Sequence, residues 1–327
     1  MTQWSEIPKT ELHLHLEGAA PPEFIRTLAA EKGVDLSSIF MEDGAYKWAD
    51  FAEFLKTYEA ATSILKSPDD FKRLVRAVLA KSAADGVVYT EIFLAPDFCG
   101  DASLGAWSEY LAAMSEGAEI ARAEDGIETR FIATCVRHFG PDQARNTARL
   151  SAETAGGLLT GFGMGGEERH LSAAEFAPAF DMAREAGLGL TTHAGEICGP
   201  ESVRDSIASL RPTRIGHGVR SIEDPALVEE LAARGIVLEV NPGSNVALDV
   251  YRDWAAHPID ILRKAGVPVT VSTDDPPYFR TDMAREYRKL SETFGWAEAD
   301  FKAINRTAMQ AAFCDIETRR RLLRLFE

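Results

Sequence analysis

Two histidines set two residues apart, His13 and His15 in Glu11-Leu12-His13-Leu14-His15-Leu16-Glu17, are the first side chains whose type and spacing could do chemistry. Side chains two apart on a strand share a face, so both imidazoles point one way and Leu12, Leu14 and Leu16 the other. Paired imidazoles in a protein interior suit a metal ion, although two hydrogen-bonded core histidines would read the same. Three later segments add matching groups: Thr191-Thr192-His193-Ala194-Gly195-Glu196, Arg214-Ile215-Gly216-His217-Gly218 and Ser272-Thr273-Asp274-Asp275-Pro276. Four of the seven histidines fall in this set, with a carboxylate pair beside them, so chance placement explains it poorly. The remaining three carry less. His138 follows a strand-like run and is a weaker candidate for a site mouth, while His170 and His257 read as surface groups.

Positioning these residues together requires an architecture that gathers strand ends. Strand-like runs occur at 11–15, 87–95, 128–136, 158–164, 188–194, 214–218, 236–240 and 267–273, separated by helix-like segments such as 202–210, 225–235 and 257–266. Alternating β and α elements argue for a parallel sheet, and a count of eight argues for closure into a (β/α)8 TIM barrel. An open doubly wound sheet is the alternative, weakened by the absence of a GxGxxG turn after the first strand. The histidine and carboxylate segments all sit at C-terminal strand ends, where barrel enzymes place catalytic groups. In the last strand Val267, Val269, Val271 and Thr273 share one face, which leaves Thr270, Ser272 and Asp274 on the other, toward the interior.

One connection is much longer than the rest, from residue 18 to 86, and reads as a helical insertion after strand one. Within it Phe51, Phe54, Leu55, Tyr58 and Leu65 follow a helical stripe, either packed on the barrel or closing the mouth as a lid. No linker or repeat breaks the chain, so residues 1–327 read as one domain.

Composition narrows the partners. With 51 acidic against 35 basic residues the net charge is −16, which disfavours nucleic acid and anionic membrane surfaces. No apolar run approaches the roughly 20 residues of a membrane span. Four scattered cysteines and the absence of a signal-peptide pattern at the N-terminus lead to an expectation of a cytoplasmic protein.

The ordered segments PKTELHLHLEG, GFGMGGEE, HAGE, RIGHG and STDDP resemble the adenosine deaminase family of the amidohydrolase superfamily. The resemblance runs from about Pro8 to Cys314. It implies His13, His15, His193 and Asp274 as ligands of one zinc ion per chain. It also implies catalytic and base-reading roles for Glu196, His217 and Asp275, and contact between the Gly166 backbone amide and a purine ring. His15 and Glu17 join the substrate-binding set.

The chemistry such residues must perform can be stated independently. Displacing an amino group from a purine needs a strong nucleophile at neutral pH, and zinc lowers the pKa of bound water toward about 7. His217 is suited to take the water's proton or to hold the oxygen in place. Attack at C6 pushes electrons onto N1, which calls for a protonated carboxyl group, and Glu196 would be that donor. Cytidine-type deaminases need a PCxxC after HxE, and none follows Glu17. Binuclear relatives carry a lysine on strand four, which LLTGFGMGG lacks, so one metal is expected.

The substrate is less sharply drawn. Many adenosine deaminases carry HLDG, whereas Glu17 stands here in HLEG, a variant common among adenine deaminases. The glycine-rich strand four is similar to that of aminofutalosine deaminases. Arg137, Arg220 and Arg280 follow strand ends and read as scaffold, or as a grip for an anionic tail. The expectation is a purine 6-aminohydrolase, with adenosine favoured over adenine or a 5′-modified nucleoside. A zinc-bearing binding protein without turnover is the reading from a different class.

Overall fold

The computed structural model describes residues 4–327, the side chains of residues 51 and 52 excepted. Eight parallel strands follow one another around the sheet in chain order: β1 (Lys9–His15), β2 (Val87–Leu94), β3 (Glu128–Val136), β4 (Leu159–Gly165), β5 (Gly189–Ala194), β6 (Arg214–His217), β7 (Val237–Val240) and β8 (Val269–Val271). The seam between β8 and β1 is closed by His15 N–H to Asp274 O at 3.1 Å and Asp274 N–H to His13 O at 3.2 Å. The result is a (β/α)8 barrel, and each expected strand is present with its ends within two residues of the expected ones. β8 is shorter at both ends, with Pro268 before it and Asp274 beyond it at a left-handed φ of 70° that turns the chain out of the ladder.

Alternation along each strand divides two apolar layers. Leu12 packs outward with Tyr89, Ala308 and Met309, while His13 points inward against Phe93 with ring centroids 4.6 Å apart. Beneath the histidines the barrel floor is ionic. The fully buried Arg214 pairs with Glu91 at 2.6 Å and Glu239 at 2.6 Å, and its guanidinium stacks 3.6 Å from the Phe313 ring. A buried charge persists only when paired in this way. The arrangement places a fixed carboxylate, Glu239, directly below the metal-type cluster.

The insertion after β1 is helical: Pro22–Lys32, Phe51–Thr62 and Pro68–Ala84. Ser67 and Asp70 form a capping box that starts the third of these. The expected stripe is kept in part. Phe54 and Tyr58 turn toward the barrel mouth and Leu55 sits at its rim, 40% exposed. Leu65 lies beyond the helix end and is buried in the main hydrophobic core, and the side chain of Phe51 lies outside the described residues. No described helix is long and apolar enough to cross a membrane.

Candidate active site

Ligating atoms of His13, His15, His193 and Asp274 converge within 4.8 Å of one another at the C-terminal end of the barrel. Each imidazole is aimed from behind. His13 Nδ1 donates to Glu239 at 2.9 Å, and His193 Nδ1 donates to the Met164 carbonyl at 2.8 Å. Those bonds leave both Nε2 lone pairs facing inward, the tautomer a metal ligand requires. Asp274 Oδ1 lies 3.4 Å from His13 Nε2 and 3.2 Å from His15 Nε2, and the Nε2 atoms of His15 and His193 are 3.1 Å apart. His13 Nε2 is buried with no hydrogen-bond partner. An orphaned buried nitrogen among three further nitrogen and oxygen donors fits a zinc ion in type, number and spacing.

The charges follow the same logic. Burial disfavours charge on His13, but Asp274 and Glu239 outweigh it and raise the imidazole to about 9, so positive charge is favoured at this point and a bound metal ion would displace the Nε2 proton. Burial likewise opposes ionised Asp274, yet the His13 and His15 imidazoles beside it hold its carboxyl well below the usual range. His217 is pushed down to about 3 by burial and is neutral.

Around this cluster stand the other expected residues. His217 Nε2 lies 3.6 Å from Glu196 Oε2 and 3.9 Å from Asp274 Oδ2, and the latter oxygen accepts a 2.7 Å bond from Ser244. His217 and Asp274 both hold left-handed backbone, at φ 60° and 70°. For non-glycine residues that conformation costs on the order of 1–3 kcal/mol and concentrates at functional sites. Burial pushes the Glu196 carboxyl well above its ordinary value, with the Asp274 charge adding to it. Asp275 is raised in the same way by burial and Asp274, and its Oδ1 has no partner. Gly18 makes room for it, since a Cβ there would stand 1.5 Å from Asp275 Oδ1.

His15, His193, Glu196, His217, Asp274 and Asp275 line one cavity of about 440 Å³, together with Glu17, Phe54, Tyr58, His138 and Gly166. Gly166 adopts φ 98°, and a Cβ on it would meet His138 Nδ1 at 2.8 Å. His138 therefore does line the mouth. His170 does not line the cavity, and His257 is no surface group: it is 1% exposed behind His217, because its ring is bonded at both nitrogens. The three arginines are scaffold. Arg137 donates to the carbonyls of His170 and Leu171 at 2.8 and 2.9 Å, Arg220 pairs with Glu223 at 2.6 Å, and Arg280 lies 3.4 Å from Asp43. Among the described residues, no lysine or arginine lines the cavity.

Sequence reasoning missed two carboxylates. Glu239 aims His13, and its only sequence signal is an acidic residue inside the apolar run Ile236-Val237-Leu238-Glu239-Val240. Glu168 accepts from the backbone N–H groups of Gly195, Glu196, Ile197 and Cys198 at 2.5, 3.2, 2.7 and 2.8 Å, and from Ser202 Oγ at 2.6 Å. One side chain thus moulds the loop that carries Glu196. Glu168→Ala leaves four amides to find new partners, at about 1–3 kcal/mol for each that stays buried and unpaired. The expected outcome is a lower melting temperature and kcat down by about 10–100-fold, the range for lost supporting contacts. A kcat within twofold of wild type in steady-state assays would show that Glu168 does not position Glu196.

The chain is also similar along its length to known proteins. A family model described as adenosine deaminase matches residues 8–326. The chain is 49% identical over 319 residues to an adenine deaminase of Agrobacterium fabrum, covering 98% of each chain. It is 48% identical over 317 residues to an adenine deaminase of Rhizobium leguminosarum, covering 97% of this chain and 98% of the relative. The crystal structure of an adenine deaminase from Arthrobacter aurescens superposes with a TM-score of 0.89 at 28% identity, with 98% of each chain covered. A zinc-bound amidohydrolase from Burkholderia ambifaria does so with a TM-score of 0.87 at 25% identity, covering 99% of this chain and 90% of that one. Matched over nearly its whole length by the family model and by these relatives, the chain belongs to the adenosine deaminase family.

Proposed function

We propose that this protein is a zinc-dependent adenine deaminase, converting adenine and water to hypoxanthine and ammonia. The observation that carries the reading is near-half identity, over nearly the whole chain, to proteins described as adenine deaminases. The choice moves the substrate from adenosine, which the sequence favoured, to the free base. Two features of the cavity support it. Glu17 is 3% exposed at the cavity wall, with Oε1 unpartnered, and its longer side chain stands where many adenosine deaminases carry an aspartate. A lining without lysine or arginine among the described residues offers nothing to a phosphate or other anionic tail.

His13, His15, His193 and Asp274 would hold one zinc ion per chain. When bound, zinc supplies Lewis acidity that readies water for attack near neutral pH. The chain's own residues do the rest. Asp275, kept protonated by burial, donates to N7, a ring acceptor that an ionised carboxylate would repel. The Gly166 amide meets the ring edge. As water adds to C6, Glu196 gives its proton to N1, and the water's proton goes to His217 or Asp274 beside it. The amino nitrogen then takes that proton, the C6–N6 bond breaks with ammonia leaving, and the oxygen's remaining proton restores Glu196. Phe54 and Tyr58 of the insertion cover the ring and limit water access. The chain works as a single domain, and its free cysteines suit the cytoplasm.

The test is a steady-state panel of adenine, adenosine, AMP and aminofutalosine, read by ammonia release. Adenine should show the highest kcat/KM. No release from any of the four would favour a zinc-bearing binding protein instead. Burial pushes the Glu17 carboxyl up to about 7. Glu17→Ala should open the sugar side and lower the adenine-to-adenosine preference by about tenfold or more, through loss of a steric and polar discriminator. An unchanged ratio would remove Glu17 from substrate choice.

A further inference from the structure

Behind His217 lies a chain of hydrogen bonds whose direction can be read from one end. The backbone N–H of Ile259 donates to His257 Nδ1 at 3.2 Å. A backbone amide can only donate, so His257 Nδ1 carries no proton and Nε2 does. His257 Nε2 lies 3.1 Å from Asn245 Oδ1 and donates to it, which turns the amide so that Nδ2 faces His217. Asn245 Nδ2 then donates to His217 Nδ1 at 3.1 Å, and Asn241 Nδ2 approaches the same nitrogen at 3.3 Å. His217, Asn241, Asn245 and His257 are each at most 1% exposed, so solvent does not compete for these bonds.

We infer that Asn245 and His257 are positioning residues that lock His217 in its Nε2–H tautomer, so that its one N–H is aimed into the site. The direction follows link by link, because reversing any bond would set two donors or two acceptors face to face. His217 Nε2 faces Glu196 and Asp274, where the reacting water must stand if the deaminase reading holds, on which this catalytic part of the inference rests.

The first test needs no substrate. Nitrogen-15 histidine NMR, on metal-free and zinc-loaded protein, should show His217 protonated at Nε2 and bare at Nδ1. The second is Asn245→Asp, whose acceptor-only side chain draws a proton onto His217 Nδ1 and bares Nε2. Its spectrum should show the switched tautomer, with zinc content unchanged, KM within a few-fold and kcat down by about 10²-fold or more, as when an oriented donor is lost. His257→Gln keeps an N–H for Asn245 and should retain more kcat than His257→Leu. A wild-type His217 bare at Nε2 overturns the proposal, as does an Asn245→Asp variant with kcat within threefold of wild type. Should that variant not fold, the wild-type spectrum still decides. Should no purine be deaminated, the spectrum still decides the tautomer separately from the substrate.

Discussion

Glu196→Gln is expected to lower kcat by about 10²–10⁴-fold while zinc stays bound, the range for losing a positioned general acid. The substitution keeps the size of the side chain and its place above the cluster, 3.6 Å from His217, but removes the proton that N1 must receive. The sign of the pH dependence follows from the same carboxyl. Burial raises it well above the ordinary range, so the donor is present through neutral pH and is lost as pH rises through its raised pKa. Wild-type kcat/KM should therefore fall on the alkaline side, and the variant should lack that limb. Steady-state kinetics across pH, with metal content measured alongside, checks both. A variant within a few-fold of wild type would mean that another group protonates N1.

His193→Ala should purify with far less than one zinc per chain and lose nearly all activity. It removes one of four donors held within 4.8 Å, and it also empties the site to which the Met164 carbonyl holds the ring. Loss of a supporting contact alone costs about 10–100-fold in metal affinity, so loss of a ligand should cost more. Metal analysis by mass spectrometry reads the stoichiometry, and added zinc should restore little activity. Full zinc content in the variant would sink the ligand assignment. The fold should survive, because His193 packs at a strand end and the apolar layers of the barrel do not depend on it.

Local pattern made much of this protein legible in one dimension. Strand period placed His13 and His15 on one face, and the eight alternating units specified the barrel, because parallel strands buried on both faces leave dense β-rich runs between helices. The ends of those runs marked His193, His217, Asp274 and Asp275, since a barrel brings every C-terminal strand end to one mouth. The substrate was harder to read from motif alone: HLEG left adenosine and adenine both open, and the burial of Glu17 is a property of the assembled cavity.

Tertiary structure alone decided which residues support the site. Glu239 meets His13 across 226 positions of sequence, and Glu168 reaches amides 27 to 30 residues away. His257 looked like a loop histidine because its partners, Asn245 and the Ile259 amide, carry no periodic signal. The β8 strand read longer than it is because nothing in Thr273-Asp274 announces a left-handed turn, which the closing seam with β1 imposes. Periodicity reports which way a side chain points from its own element. What it meets there depends on the distance between elements, and that is set only when the barrel closes.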